Sequence, residues 1–265
     1  MRWMLDHPSW EMYSQPARAM RTPAGTWLIQ ATPTYRPVLL DGGGPPPRLD
    51  IYDPVTLADL HLPAGLARAL NESAPVQRVG NADLWDALAT AIIRQVIRAS
   101  QARTMYRELL DTAGQPAGLA CLPPSAEQIL AMPAEQFAGL GMAFKCRPLH
   151  AAADTYLRCR DEWVTMPADV LVKALQTVPR IGPWTAGAAV ADHTGDFSVY
   201  PYGDLAVRTW ARRADPATAW PDDDPGFAAL WRALAGPHLS TLTALTLAWG
   251  DQRVHQPAHP RNPAH

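Results

Sequence analysis

The sequence predicts a mainly helical fold, α+β overall, with two helical layers around a cleft and a small β-containing region before them. Capped amphipathic patterns follow one another from Asn81 to Trp249, and their apolar residues recur at helical spacing. Two short helices joined by a tight turn stand within them, at Leu171 to Val190. The preceding stretch, Met1 to Val79, is rich in prolines and has few helical signals. Together these three observations indicate the fold class.

The N-terminal stretch holds two segments with the composition of β-strands. They are TWLIQA at Thr26 to Ala31 and RPVLL at Arg36 to Leu40, followed by the stiff break GGGPPP at Gly42 to Pro47. β-Branched and aromatic residues favour strands, whereas glycine and proline interrupt them. We therefore assign residues 1–79 to a first, β-containing domain.

The remaining chain carries start and stop signals for helices. Asn81 is a suitable N-cap for the first helix, and Ser125 with Gln128 has the spacing of a capping box. Proline suits the first turn of a helix and glycine its end. On this basis three further helices are predicted to begin at Pro133, Pro148 and Pro167. The last helix is predicted to end at Gly250. We assign residues 80–255 to a helical domain and residues 256–265 to a disordered tail.

The central hairpin has the features of a phosphate site. Pro179 ends its first helix, and Gly182-Pro183 begins the second. The start of a helix presents backbone N–H groups without intrahelical acceptors, and these groups bind phosphate. About twenty residues further on, Gly203-Asp204 precedes another amphipathic helix. The sequence thus combines a phosphate-binding hairpin with a carboxylate at a helix start.

This combination resembles the helix-hairpin-helix (HhH-GPD) DNA glycosylase superfamily, and within it the AlkA-like alkylbase branch. VPRIGPWTA resembles the family's hairpin, and YPYGD its loop with the catalytic aspartate. Upstream, LWDALATAIIRQVIRASQA and LGMAFKCRPLHAAADTYL are also similar, so that the resemblance covers roughly Asn81 to Gly250. It implies that the first domain is small and antiparallel, and that the helical domain has the glycosylase fold.

The resemblance implies that Asp204 is the catalytic carboxylate. Hydrolysis of an N-glycosidic bond passes through a sugar with oxocarbenium character, which a nearby carboxylate stabilises. The helix macrodipole favours a negative charge at this position. The alternative is that Asp204 is an ordinary N-cap.

The resemblance also predicts hydrolysis without strand cleavage. Superfamily members that cut the strand use a lysine of the second hairpin helix, and Trp184 occupies that position here. Because a tryptophan cannot form an imine, we expect a monofunctional enzyme that leaves an abasic site. Trp184 either stacks on a flipped base or wedges two helices apart as a core residue.

The hairpin is expected to hold DNA phosphate through backbone N–H groups near Gly182. Family members often bind a monovalent cation, K⁺ or Na⁺, on hairpin carbonyls, which here belong to Gln176, Val178 and Ile181. Arg180 stands where the family usually has glycine. If this position requires a positive φ, arginine is less favourable there than glycine, although its side chain is suited to a phosphate contact.

A second DNA-facing turn is predicted upstream. The family commonly has Gly-Gln, a wedging residue and small residues here, and this chain has Arg94, Gln95, Val96, Ile97 and Arg98. Gln95 fits the pattern, and Val96 suits insertion into the gap left by a flipped base. Because Arg94 and Arg98 are four residues apart, we expect them to share a helix face and contact DNA.

The base pocket departs further from the family pattern. Tyr200 and Tyr202 flank the catalytic loop and either line the pocket or shield it. Ala188 stands where a pocket tyrosine is often found, and His238 follows Gly-Pro where the AlkA type has an aromatic residue. His238 either donates a hydrogen bond to the base or is a surface histidine.

Composition limits the cofactors, partners and location. The formal net charge of −2 gives no bulk attraction to nucleic acid, so binding of double-stranded DNA requires a local basic face. Three cysteines without CxxC spacing suit a reducing cytoplasm, and none follows Cys159, where some superfamily branches bind an iron–sulfur cluster. We expect no iron–sulfur cluster and no required cofactor. No run is long enough to span a membrane, and the N-terminus lacks a secretory signal, so we expect a cytoplasmic, nucleoid-associated monomer.

The resulting hypothesis is a monofunctional DNA glycosylase that removes a damaged or modified base, alkylated by resemblance, in base excision repair. Two alternatives remain. One is a DNA-binding protein that kept the hairpin without catalysis. The other is an N-glycosidase for an unusual or hypermodified nucleobase.

Overall fold

The computed structural model describes residues 1–255, so the predicted tail at 256–265 lies outside the described residues. The helices are α1 Ala64–Asn71, α2 Leu84–Arg94, α3 Ala99–Ala113, α4 Ala126–Ala131, α5 Ala134–Gly139, α6 Ala143–Trp163, α7 Ala168–Leu175, α8 Pro183–Thr194, α9 Leu205–Ala214, α10 Asp224–Ala235 and α11 Leu239–His255. Short 3-10 turns lie at Pro54–Leu57 and Gly236–His238. The mainly helical, α+β fold class is confirmed.

Within residues 1–255 the strands form three small sheets. The strands are β1 Arg2–Trp3, β2 Ala17–Arg21, β3 Gly25–Gln30, β4 Val38–Gly42, β5 Leu49–Tyr52, β6 Val76–Val79, β7 Gln115–Ala117 and β8 Ala120–Leu122. The sheet orders are β1-β6-β5, β2-β3-β4 and β7-β8. In the second sheet all pairs are antiparallel, with Met20 opposite Trp27 and a register shift between Thr26 and Trp27. The two strands expected in this region are therefore present.

The chain divides into two compact units. The first comprises Met1–Ile51 and Gln77–Pro201, and the second comprises Tyr52–Val76 and the described residues from Tyr202 onward. Each unit is thus built from two separate stretches. The expected boundary between residues 79 and 80 does not coincide with any of these limits, and the assignment of domains at 1–79 and 80–255 stays a prediction.

Helix α2 forms the centre of the first unit. Asp83 begins it as N-cap, accepting hydrogen bonds from Trp85 N at 3.0 Å and Asp86 N at 3.3 Å. All residues from Leu84 to Ile93 are buried, and each leucine or isoleucine among them contributes about 1.5–3 kcal/mol by burial. Helix α8 packs on α2. Its Gly187 permits close approach of the following loop, because a Cβ there would lie 2.6 Å from Val199 O.

Aromatic residues form the core of the second unit. The Trp231 ring is fully buried and stacks on Phe227, with ring centroids 5.4 Å apart. Its Nε1 donates to Thr243 Oγ1 at 3.1 Å. Between α9 and α11 the packing is tighter still, since a Cβ on Gly250 would lie 2.2 Å from the Trp210 ring.

Three expectations about helix boundaries are wrong. Gly250 does not end the last helix, because the glycine is needed inside α11 for contact with Trp210. Asn81 is not the first N-cap, because its buried amide donates instead to Asp86 and Asp192. Pro148 lies inside α6 rather than at its start. The N-terminal stretch with few helical signals contains the short helix α1.

Among the described residues, no helix combines the length and apolar character that crossing a bilayer requires.

Candidate functional site

Helices α7 and α8 form the predicted hairpin in the first unit. Leu175 is the last residue of α7, Gly182 is the N-cap of α8, and Pro183 is its first residue. The N–H groups of Trp184 and Thr185 in the first turn have no intrahelical acceptor. Gly182 is exposed, so the geometry of this helix start suits an anion.

Arg180 occupies the turn of the hairpin in the left-handed conformation, with φ 71°. The turn thus keeps the backbone shape for which glycine is favoured. The Arg180 side chain is exposed, and its guanidinium makes no hydrogen bond or ion pair with any described residue. The carbonyls expected to bind a monovalent cation belong to Gln176, Val178 and Ile181. Val178 O already accepts a bond from Ile181 N at 3.1 Å, and the cation stays a prediction.

The turn after α2 lies against the hairpin. The Gln95 side-chain amide donates to Arg180 O at 3.2 Å and to Thr185 Oγ1. The next residue, Val96, has φ 60° and a fully exposed side chain. A β-branched residue with positive φ is rare and strained. In the described chain, Val96 and Arg180 are the non-glycine residues with positive φ, and Gln95 connects them.

Lys145 also supports the turn after α2, a role that the sequence analysis does not predict. Its buried Nζ donates to Ile92 O at 2.7 Å and to Gln95 O at 2.8 Å. These carbonyls end α2, where a cation also complements the helix dipole. Burial lowers the pKa of Lys145 to about 8. Its only sequence signal is that it is one of two lysines in the chain.

The expectation that Arg94 and Arg98 share a helix face is wrong. Helix α2 ends at Arg94, and Arg98 is the N-cap of α3. The left-handed Val96 separates the two helices. Arg98 is exposed, whereas Arg94 is half-buried and lines a cavity.

This cavity, of about 20 Å³, lies between α2 and α8 within the first unit. Alanines of both helices form its walls, namely Ala87, Ala91 and Ala188. Their small side chains leave a space that holds about one water molecule. Tyr200 is buried and also lines the cavity.

Charged groups form the rest of the cavity lining. Arg78 bonds Asp6, with Nε 3.0 Å from Oδ1, and also pairs with Asp192. Burial opposes ionisation of Asp192, but the neighbouring Arg78 and Arg18 prevail and lower its pKa. His7 is buried, with Nε2 3.0 Å from Thr90 Oγ1.

The charge state of this lining follows from its environment. Burial, together with the nearby Arg18, lowers the pKa of His7 well below its ordinary value. His7 is therefore neutral at pH 7, while Asp192, which pairs with Arg78, is ionised.

Asp204, Tyr202 and His238 belong to the second unit. Asp204 is the N-cap of α9, and its Oδ2 accepts a long hydrogen bond from Ala206 N at 3.4 Å. The Arg232 guanidinium lies over the Tyr202 ring, 5.7 Å from its centroid. His238 ends the 3-10 turn before α11 and is half-buried. Trp184, in the first unit, is half-buried in the first turn of α8. The roles expected of these four residues stay predictions.

The hairpin, the wedge-like turn and the surrounding helices define the helix-hairpin-helix DNA glycosylase fold. No family model matches the chain, and no curated protein matches it in sequence. The fold is established by solved structures of low sequence identity.

Three such structures illustrate the similarity. A 3-methyladenine DNA-glycosylase from Archaeoglobus fulgidus has a TM-score of 0.68 and 17% identity, with 91% of this chain and 88% of that chain covered. An 8-oxoguanine glycosylase/lyase from Clostridium acetobutylicum, in complex with double-stranded DNA, has a TM-score of 0.66 and 11% identity. The match covers 95% of this chain and 90% of that chain. A DNA-3-methyladenine glycosidase from Bacillus halodurans has a TM-score of 0.57 and 16% identity. The match covers 79% of this chain and 95% of that chain. The three enzymes are named for different bases and have similar scores, so the likeness shows the fold alone.

Proposed function

We propose that this protein is a monofunctional DNA glycosylase, which flips a damaged base out of duplex DNA and hydrolyses its N-glycosidic bond. The observation that carries the proposal is Val96. Its strained backbone costs on the order of 1–3 kcal/mol and presents an apolar side chain fully to solvent. Such a side chain suits the gap that a flipped base leaves in the stack. Gln95 and Lys145 hold the turn that presents it.

Double-stranded DNA is the partner that these features favour. The exposed start of α8 offers N–H groups to one phosphate, and Arg180 and Arg98 are exposed beside the hairpin and the Val96 turn. The structure of the Clostridium glycosylase/lyase, which has the same fold, contains double-stranded DNA. A net charge of −2 requires that such contacts be local.

Asp204 is the carboxylate that we assign to the chemical step. As the bond between the base nitrogen and the sugar C1′ breaks, the bonding electrons leave with the base and positive charge develops on the sugar. A carboxylate stabilises that charge. Water then adds to C1′, and the proton that it loses passes to the departed base, or to bulk water when the base left as a neutral molecule. Asp204 lies at the start of α9, where the helix dipole favours negative charge.

Base release tests this function directly. Duplexes with single lesions are incubated with the protein and treated with alkali, which cleaves the strand at abasic sites. We expect Asp204→Asn to slow single-turnover release by on the order of 100-fold or more while retaining DNA binding. Asp223→Asn is the matched control, because Asp223 is also an N-cap, accepting from Gly226 N at 2.7 Å. Its release rate should equal that of the unsubstituted protein.

Two results would contradict the assignment. Unchanged release by Asp204→Asn excludes Asp204 as the essential carboxylate. Binding of duplexes without release of any base from a broad lesion panel supports the non-catalytic DNA-binding alternative.

The same reactions test for strand cleavage. Trp184 occupies the position at which a lysine would form an imine, and the two lysines are Lys145, which is buried, and Lys173, which lies on α7. We therefore propose that cleavage requires added alkali. A covalent protein–DNA adduct trapped by borohydride would show that an amine of the chain acts as nucleophile.

A further inference from the structure

Arg94 differs from the other charged groups that line the α2–α8 cavity. Arg78 is paired with Asp6 and with Asp192. In contrast, the Arg94 guanidinium makes no hydrogen bond or ion pair within residues 1–252, whose side chains the structure describes. It is nevertheless half-buried. A guanidinium has five donors and no acceptor, so the donors of Arg94 are available to a ligand.

The position of Arg94 places it beside the space that small residues create. It follows Ala87 and Ala91 on the same face of α2, and Ala188 lines the cavity from α8. The family that the sequence resembles usually has glycine at the position of Arg94 and often has a pocket tyrosine at that of Ala188. Arg94 therefore adds a cation to a lining that also contains the aromatic residues Phe197 and Tyr200.

The charges around the cavity indicate which ligands are excluded. Asp6 and Asp192 carry two negative charges, Arg78 and Arg94 carry two positive charges, and His7 is neutral. The lining is balanced only while Arg94 is present. A cationic ligand is favoured by aromatic faces or by net negative charge. Phe197 and Tyr200 give the lining aromatic faces, so the exclusion of a cation rests on Arg94, which cancels the net negative charge that Asp6, Asp192 and Arg78 would leave.

The size of the cavity limits what enters it. A volume of about 20 Å³ accommodates one water molecule or one exocyclic atom, not a whole base. Arginine donates to carbonyl oxygens and ring nitrogens of bases, as in its recognition of guanine. The atom that fits this site is therefore a hydrogen-bond acceptor.

We propose that Arg94 determines base specificity: it selects a neutral base that directs an exocyclic carbonyl oxygen into the α2–α8 cavity, and it excludes cationic N-alkylated bases. This inference rests on the proposed glycosylase function and specifies its substrate class. It departs from the alkylated base that the sequence resemblance implies.

Two sets of duplexes test the inference. One carries hypoxanthine or 8-oxoguanine, which are neutral and have an exocyclic carbonyl, and the other carries the cationic bases 7-methylguanine and 3-methyladenine. Single-turnover release and duplex affinity are measured for the unsubstituted protein, Arg94→Met and Arg94→Lys. We expect a preference for the neutral set, and a shift toward the cationic set in Arg94→Met on the order of 10- to 100-fold. Arg94→Lys should still exclude the cationic set, because it keeps the charge.

Arg98→Met is the matched control, because Arg98 is exposed in the same connection and does not line the cavity. It should weaken binding to all duplexes without changing the preference. Thermal melting checks that each variant is folded. Preference of the unsubstituted protein for cationic bases would overturn the inference, and so would an unchanged ratio in Arg94→Met.

The affinity measurements separate this inference from the proposed function. If no base is released but the neutral duplexes bind more tightly in an Arg94-dependent way, the specificity of the cavity holds and catalysis does not. If bases are released but neither release nor affinity depends on Arg94, catalysis holds and the specificity assignment fails.

Discussion

At the scale of single residues, Val96 and Arg180 hold left-handed backbone that glycine would adopt without strain. Gln95 bonds to the hairpin at Arg180 O, directly before Val96. The two strained positions therefore support each other, because a shift of either turn would break the Gln95 bond. Such strain persists only where the surrounding structure imposes it, which is common at functional sites.

Substitutions of Arg180 separate the effect of backbone strain from the effect of the DNA contact. Arg180→Ala removes the guanidinium but keeps the strain, so it should weaken binding to damaged and undamaged duplexes equally and reduce the salt slope by about one. Arg180→Gly also relieves the strain, and should raise the free energy of unfolding by about 1 kcal/mol. Binding titrations at several salt concentrations and denaturant unfolding measure both effects. An unchanged salt slope in Arg180→Ala would mean that Arg180 contacts no phosphate.

The sequence was sufficient to predict several of these residues but not their arrangement. The hairpin lies where its short motif predicts it, whereas the roles of Gln95 and Val96 stay predictions. The separation of Arg94 from Arg98 was missed, because it depends on the conformation of Val96, which a valine does not indicate by itself. The cavity arises from alanines on two helices far apart in sequence, and no local pattern reports such a space.

At the scale of elements, the C-terminal end of α2 depends on a buried lysine. Lys145→Met keeps most of the side-chain volume but removes the ammonium donor to Ile92 O and Gln95 O, and Ile92 O keeps only the bond from Gln95 N at 3.2 Å. Loss of donors to buried carbonyls costs about 1–3 kcal/mol, so we expect a lower free energy of unfolding by that amount. Lys173→Met on the exposed face of α7 is the control and should stay within about 0.5 kcal/mol. Equal stability of both variants would show that water replaces Lys145.

Element boundaries were predicted best where the signal is local. The Ser125–Gln128 capping box is confirmed, with both reciprocal hydrogen bonds present. Gly250 and Asn81 were misassigned because each serves a tertiary contact that outweighs its local preference. Gly250 makes room for the Trp210 ring, and the Asn81 amide bonds two buried carboxylates.

At the scale of the whole molecule, a buried polar network joins the N-terminal segment to the central helices of the first unit. Asp86 of α2 accepts hydrogen bonds from Arg18 at 3.1 Å, from Asn81 at 3.0 Å and from Tyr106 Oη at 2.6 Å. His7 Nε2 lies 3.3 Å from the same carboxylate. Removing one partner from such a network leaves a buried charge uncompensated, which is strongly destabilising.

This network predicts a loss of stability in acid. Folded His7 stays neutral because its pKa is lowered, whereas unfolded His7 takes up a proton below its ordinary pKa of 6.5. The unfolded state then binds more protons, so its stability relative to the folded state increases by up to about 1.4 kcal/mol per pH unit as pH falls below 6.5. Denaturant unfolding at pH 7.5, 6.5 and 5.5 measures this slope.

His7→Gln provides the control, since glutamine does not titrate. Comparison with this variant isolates His7 from carboxyl groups such as Asp83, whose pKa burial raises to about 6. A pH slope that is identical in both proteins would show that His7 takes up a proton in the folded state.

The chain passes between its two compact units three times, at residues 51–52, 76–77 and 201–202. Neither unit is therefore a continuous segment of the sequence, so recombination cannot transfer either unit to another gene in one piece. Cutting the gene at codon 80 would discard Asp6, His7, Arg18 and Arg78 while retaining Asp86 and Asp192. The N-terminal segment supplies the partners of buried charged residues in the helices, so the two stretches must stay in one gene. Substitutions in one stretch are therefore expected to be matched by substitutions in the other.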